Sequence, residues 1–368
     1  MSNTIALLVT PDLAKKINGF KDVLPQLIKI KLGLNISWSI EIIEDYLPGA
    51  SIDFQKLYKA TENYKEKHNF SYVISLTDLP ILASGKVVVT DINKKNKMLL
   101  ISVPALGCFL SKMFIKEAII LAIKEVRGIN YNTAHSFKNM SCKKWICFKL
   151  LYKTELYIKE TNNRHIRYLI KSSFLGKLQL ILGMTLLNNP FNMMRSLTSS
   201  LALSFTTGAF GMIFTTMWQL SYMFSEFRLF ILTVVSILGM IIWVILAHEL
   251  WEPVSNRKDK YYSKLYNLTT LTTLLFSVLN YYIALFSMFL FASIIIIPPS
   301  FLGQTLGLQN DTNLFQYIEI AWFATSIATV AGAIGVGLTN DQLVKESTYG
   351  YRQKNRYNEI NQDNPNSK

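Results

Sequence analysis

His135, Cys142, Cys147 and His165 could together be imagined as four ligands of a metal. Their spacing matches no familiar zinc pattern, and a lone CxxxxC is a weak signal. The plain expectation is reduced thiols (with Cys108 the cysteine count is odd) and ordinary histidines. Two acids, Asp78 and Asp91, stand beside the ends of candidate strands, where an exposed carboxylate could act as a general acid or base. No His, Ser or Cys lies at a recognisable spacing from either one. Nucleotide chemistry needs a glycine-rich turn after a strand. Here "TIALLVT" is followed by "PDLAKK", and Gly19, Gly33, Gly49, Gly85 and Gly107 are scattered singly. No cofactor is expected, and the chain reads as non-enzymatic.

In the apolar half the chemistry is neutral. An ionisable residue at mid-depth would flag ion or proton coupling, but Glu319 and His248 fall at span ends. Thr269, Thr273, Ser277 and Asn280 share one helical face. Ala328, Gly332 and Gly335, with Ala333 and Gly337, give the small-residue spacing that lets helices approach closely. Packing within the bundle is the plain reading, with a homo-oligomeric seam or a neutral solute path as alternatives. Between the halves, "KKWICFKLLYK" and the following hairpin interleave basic and apolar residues. Lys143, Lys144, Lys149, Lys153, Arg164, Arg167, Lys171 and Lys177 are candidate contacts to anionic lipid, each worth about 1 kcal/mol near a charged surface. An ordinary solvated hairpin is the plain alternative. Nucleic acid is the least expected partner.

The charges divide the chain. Residues 1–196 hold 28 Lys/Arg against 14 Asp/Glu, whereas residues 197–368 hold ten of each. The whole formal charge of +14 therefore belongs to the first part, and the longest apolar runs belong to the second. This predicts a basic domain joined to a membrane domain. The beginning, "MSNTIALLVTPD", lacks a basic n-region, and its six-residue apolar run reads as a strand and not as a signal peptide.

Four stretches, 196–225, 229–247, within 265–310, and 320–340, can each supply the roughly 20 helical residues that a ~30 Å hydrocarbon core requires. The third includes thirty-five uncharged residues, 265–299. With neither Gly nor Pro before Pro298-Pro299, it reads as one oversized helix. Four crossings put both termini and the basic loop 251–264 on one side, which positive-inside bias makes the cytoplasm. "LQLILGMTLLNNPFNMM" (178–194) is too short to cross and reads as an interfacial helix.

The first part carries α/β signals. Strands are predicted at 4–10, 35–43, 72–78, 86–92 and 97–103, with helices from Pro11, over 52–67 and over 111–127. The expected fold class is an α+β or α/β cytoplasmic domain followed by an all-α membrane domain of four transmembrane helices. The expected divisions are an α/β domain (1–130), a basic juxtamembrane region with a hairpin and the interfacial helix (131–196), the membrane domain (197–340) and a basic, partly disordered tail (341–368).

Two resemblances add to this. "SLTDLPILASGKVVVTDI", "LLISVPALG" and the helix "KMFIKEAIILAIKEVRG" loosely resemble the sheet and active-site helix of archaemetzincin-type proteases over residues 35–128. The helix reads Lys116-Glu117-Ala118-Ile119-Ile120 where HExxH would stand, so the resemblance implies a scaffold without its zinc. Across nearly the whole chain, "SLTDLPI", "VPALG", "GKLQLILGM", "NNPF", "MWQLS", "LAHELWE", "LYNLTTLTTLL", "VAGAIGVGL" and "YGYRQKNR" resemble a family of uncharacterised multi-pass membrane proteins of Gram-positive bacteria. Some of its members are labelled methylenetetrahydrofolate dehydrogenases, an activity needing a pyridine-nucleotide site that this sequence does not display. The resemblance implies a multi-pass cell-membrane protein and lends no mechanism. The expected function is membrane-anchored scaffolding or regulation through a partner, anionic lipid or a second copy. A transporter or channel subunit, or an enzyme on the α/β domain, are the alternatives.

Overall fold

The computed structural model describes residues 2–32, 36–50, 54–107, 112–128, 151–158, 163–253, 260–308, 312–336 and 341–363. The chain divides into two compact units. Residues 1–187 and 351–368 form the first, and residues 188–350 the second.

In the first unit the strands are β1 (Ser2–Val9), β2 (Ser37–Glu44), β3 (Tyr72–Thr77), β4 (Leu82–Ala83), β5 (Lys86–Asn93), β6 (Met98–Ser102), β7 (Leu151–Ile158) and β8 (Asn163–Ile170). Among the described residues they form one sheet in the order β2-β1-β3-β6-β5-β8-β7, with β4 beside β5. The first four strands of that order are mutually parallel, and β5, β8 and β7 run antiparallel to their neighbours. β3 and β6 are buried throughout, as parallel strands covered on both faces must be. The helices α1 (Pro11–Ile17), α2 (Phe20–Leu32) and α4 (Lys112–Val126) bury Ile17, Phe20, Leu24, Ile28, Ile119 and Ile123. Helix α3 (Phe54–His68) packs with β3 and β6, its Leu57 meeting Ile81, Val88, Leu100 and Leu169. The hairpin β7–β8, read from the sequence as part of a separate basic region, extends this sheet through β5. Helix α5 (Ser173–Leu187) follows it.

The second unit is helical: α6 (Pro190–Ser196), α7 (Thr198–Gly211), α8 (Thr215–Met223), α9 (Glu226–Ala247), α10 (Lys260–Ile296), α11 (Pro299–Leu306), α12 (Leu314–Val336) and α13 (Asp341–Lys345). Three of these, α9, α10 and α12, are long and apolar enough to cross a membrane. The stretch 267–296 is one continuous helix within the 37 residues of α10. The stretch 196–225 is not one straight helix: α7 and α8 meet at 94° across residues 212–214. The break follows Gly208 and Gly211, where helix propensity falls by about 1 kcal/mol per glycine relative to alanine. The tail, expected to be partly disordered, is helical over Tyr349–Asp363 (α14).

Candidate functional site

Strand order 2-1-3 creates a switch point. The connections leaving β1 and β3 diverge, and open α/β sheets take ligands in the crevice outside the carboxyl ends of such strands. Here β1 is followed by Thr10 and, at the start of α1, Pro11-Asp12, and β3 ends at Thr77 with Asp78 next to it. The turn 47–50 completes the crevice. Thr77 Oγ1 donates to the Pro48 carbonyl and accepts from the Leu79 amide at 3.0 Å, which holds that turn against β3.

The crevice is filled from α14. Arg356 lies across it in a fork, with Nη1 and Nη2 donating to Asp78 Oδ1 and Oδ2 at 2.9 and 2.8 Å. Nη2 also reaches Asp12 Oδ2 at 3.1 Å, and Nη1 the Gly49 carbonyl at 3.3 Å. One turn earlier, Gln353 Nε2 donates to the Ala50 carbonyl at 3.1 Å. Both charged partners are buried, Arg356 at 6% and Asp78 at 2% exposure. Burial alone would depress the guanidinium pKa, but the charge and hydrogen bonds of Asp78, with those of Asp12, raise it above its usual value. Glycine at 49 makes room for this fork, because a Cβ there would stand 2.3 Å from Arg356 Nη1 and 2.6 Å from Thr10 Cγ2. Bidentate arginine–carboxylate pairs combine charge with fixed geometry.

A second buried charge group lies under α3. Asp91, on β5, is fully buried. His165 and Arg167 reach it from β8, and Tyr58 reaches it from α3. Asp91 Oδ1 lies 2.7 Å from His165 Nδ1 and accepts from the Tyr58 hydroxyl, while Oδ2 accepts from Arg167 Nε. Burial opposes the Asp91 charge, but the bonds from His165, Arg167 and Tyr58 outweigh it and hold the carboxyl below its usual range. Burial, then Asp91, push the Tyr58 hydroxyl well above its usual value. An ionised carboxylate can only accept, so His165 Nδ1 is the donor to Asp91. Nε2 is buried, and no described group bonds it. This is the orienting half of an Asp–His pair with no nucleophile bonded on its other side among the described residues.

Both acids therefore differ from the exposed carboxylates expected. Asp91 does have a histidine partner, 74 residues away in sequence and adjacent only because β8 pairs with β5. Of the candidate metal ligands, His165 belongs to this group; His135, Cys142 and Cys147 lie outside the described residues, as does Cys108.

The candidate lipid-facing residues separate. Arg167 is bonded through Nε to the buried Asp91. Lys153 pairs with Glu125 at 2.9 Å, which also accepts from Tyr168. Arg164 and Lys171 are exposed, Lys177 is partly exposed on α5, and Lys143, Lys144 and Lys149 lie outside the described residues. Helix α5 itself has two faces. On one, Gln179 Nε2 donates to the Ala105 carbonyl at 2.8 Å. Gly183 on the same face comes so close that a Cβ would lie 2.1 Å from the Pro104 carbonyl. On the other, Phe174, Leu178 and Leu186 are 76, 46 and 39% exposed, with Leu182 half-buried between them.

In the second unit the polar stripe of α10 is consumed by packing. Thr269, Thr273 and Ser277 are buried, and each donates to the carbonyl four residues before it. Thr273 also accepts from Asn188 at 3.0 Å, and Ser277 reaches the Pro190 carbonyl at 2.9 Å. Asn280 leaves the stripe: it is half-exposed and donates to the Phe276 carbonyl. The seam continues through two tyrosines. Tyr281 bonds Ser204 at 2.6 Å on α7 and lies 3.3 Å from Ser200. Tyr282 bonds Ser326 at 2.8 Å on α12 and Thr233 at 3.1 Å on α9. Gly332 and Gly335 face α7 of the same chain, since a Cβ on Gly332 would meet Ser204 Oγ at 2.0 Å and one on Gly335 would meet Leu203 at 2.9 Å. The serines at 200 and 204, one helical turn apart, were the available signal for this seam.

No family model matches the chain, and neither does any curated protein or solved structure.

Proposed function

We propose that this chain is a multi-pass cell-membrane protein with four crossings and both termini in the cytoplasm. On this reading its basic α/β domain is a non-enzymatic interaction module held at the inner leaflet. One observation carries the topology: Arg356, beyond the last candidate span, is bonded inside the same unit as the strands that precede the first. The α/β domain and α14 must then lie on one side, so an even number of crossings separates them. Helices α9, α10 and α12 supply three. The bent pair α7–α8 supplies the fourth as a broken span and not as a re-entrant loop.

The charges flanking the spans orient the bundle: Arg257 and Lys258 lie between α9 and α10, Lys260 and Lys264 lie in the first turns of α10, and no Lys or Arg lies in 298–315 between α10 and α12. Helix α10 is ~55 Å long at ~1.5 Å per residue, far beyond the ~30 Å core, so its Lys260 end projects into the cytoplasm. The exposed stripe of α5 lies in the interface, with Arg164 and Lys171 toward anionic headgroups. The strongest acid–base group, Asp91–His165, is spent on joining β5, β8 and α3, which supports the non-enzymatic reading.

Impermeant thiol labelling tests the topology, with the native cysteines replaced by serine and single cysteines introduced as Thr305→Cys or Tyr357→Cys. The first should label on intact cells and the second only after permeabilisation. Labelling of Tyr357→Cys from outside would overturn the arrangement.

A further inference from the structure

The crevice at the carboxyl ends of β1 and β3 is built as a receptor for a guanidinium. It offers a buried carboxylate aimed for two parallel hydrogen bonds (Asp78), a second carboxylate at the rim (Asp12) and a backbone carbonyl (Gly49). The missing side chain at position 49 leaves the volume that Nη1 takes. Beside Gly49, the fully buried Thr10 keeps a hydroxyl that no described group bonds. This place lies at the switch point, where an α/β sheet takes a ligand, and it is filled by a segment more than 270 residues away in sequence.

We propose that this crevice is an arginine-recognition site for peptide segments, and that the chain's own α14 is its resident, tethered ligand. A helix presenting one arginine, with an amide donor one turn before it to reach the Ala50 carbonyl, is the ligand class. Arginine and lysine are not equivalent here: a fork matches both oxygens of Asp78, while an ammonium supplies only a point charge. Tethering gives α14 an effective concentration in the millimolar range. An arginine-bearing segment in trans therefore gains the site when α14 is withdrawn, and α14 regains it when that segment leaves.

The test uses the full chain in lipid nanodiscs and a labelled synthetic peptide of residues 349–363, with binding read by fluorescence anisotropy. Wild type should bind the peptide at least about 10²-fold more weakly than the Arg356→Ala chain, in line with the tether. The Arg356→Ala chain should lose that binding when the peptide itself carries Arg356→Ala, or when Asp78→Asn is added to the chain. Hydrogen exchange over β1–β3 reports whether Arg356→Ala keeps the fold. If it does not, Arg356→Lys replaces it, because its ammonium still neutralises Asp78, and the arginine peptide should bind this chain at least tenfold better than wild type. Three results would overturn the proposal: a folded Arg356→Ala or Arg356→Lys chain that binds no better than wild type, binding indifferent to Asp78→Asn, or equal binding of the peptide that carries Arg356→Ala.

Discussion

Replacing Asp91 by Asn tests whether the buried charge group under α3 holds the antiparallel half of the sheet together. The carboxylate accepts from three side chains on two other elements, and Arg167 would keep its charge with this acceptor lost. Removing one partner of a buried ion pair costs about 3–5 kcal/mol. The Arg167 side chain keeps 13% exposure, so the lower end applies, about 3 kcal/mol, or roughly 10²-fold in an opening equilibrium. The assay is hydrogen exchange of the full chain by mass spectrometry, following residues 86–93 and 163–170 against β1 as an internal reference.

The expected sign with pH follows from the depressed Asp91 carboxyl. A group whose pKa is lowered in the fold contributes stability that is present above its unfolded value, about 4, and is lost as pH falls through the folded value. The gap between wild type and Asp91→Asn should thus be full near neutrality and close at acid pH. Exchange within about threefold of wild type at neutral pH, or a gap that widens on acidification, would refute the reasoning. Neutralising both partners, Asp91→Asn with Arg167→Gln, should recover part of the loss, because the stranded charge is gone.

Gly332→Ala should destabilise the α7–α12 seam by about 1–3 kcal/mol, since its Cβ would collide with Ser204 and Tyr281. Gly239→Ala, with no atom within 4 Å of its Cβ, should be neutral or mildly stabilising in the same detergent-unfolding assay. Tyr281→Phe should cost about 1 kcal/mol by stranding the Ser204 hydroxyl, measured the same way. A bimane attached through Leu178→Cys on α5 should be quenched by spin-labelled lipid. That quenching should strengthen with anionic lipid and weaken at high salt, while a probe that lipid does not quench would remove the interfacial reading.

Local chemistry made most elements legible. β-branched runs bounded by Pro, Gly and Asn marked β1, β3, β5 and β6 to within two residues, and Thr10-Pro11 marked the start of α1. What stayed hidden was pairing at a distance. Nothing local says that β8 lies beside β5, so Arg167 read as a surface cation and His165 as an isolated imidazole. Nothing local distinguishes Arg356 from Arg352 or Lys354 in a polar tail; only the crevice does. A charged residue is read as solvated by default, and the exceptions are those whose partners come from another element.

The apolar helical unit shows the same limit in a different form. Hydropathy finds apolar length, and α9, α10 and α12 have it without interruption. It is blind to direction, so 196–225 read as one span. The break at 212–214 is made tolerable by particular bonds: the Trp218 indole donates to the Met212 carbonyl at 2.8 Å, and the amides of Met212, Ile213 and Phe214 find carbonyls at 208, 210 and 211. Non-helical backbone at membrane depth survives only when its polar groups are satisfied and it is packed in protein. Met212 and Trp218 are buried, whereas the side chains of Ile213 and Phe214 are 64 and 53% exposed. These bonds satisfy the break internally, which is what the broken-span reading within the proposed four-crossing arrangement requires of it.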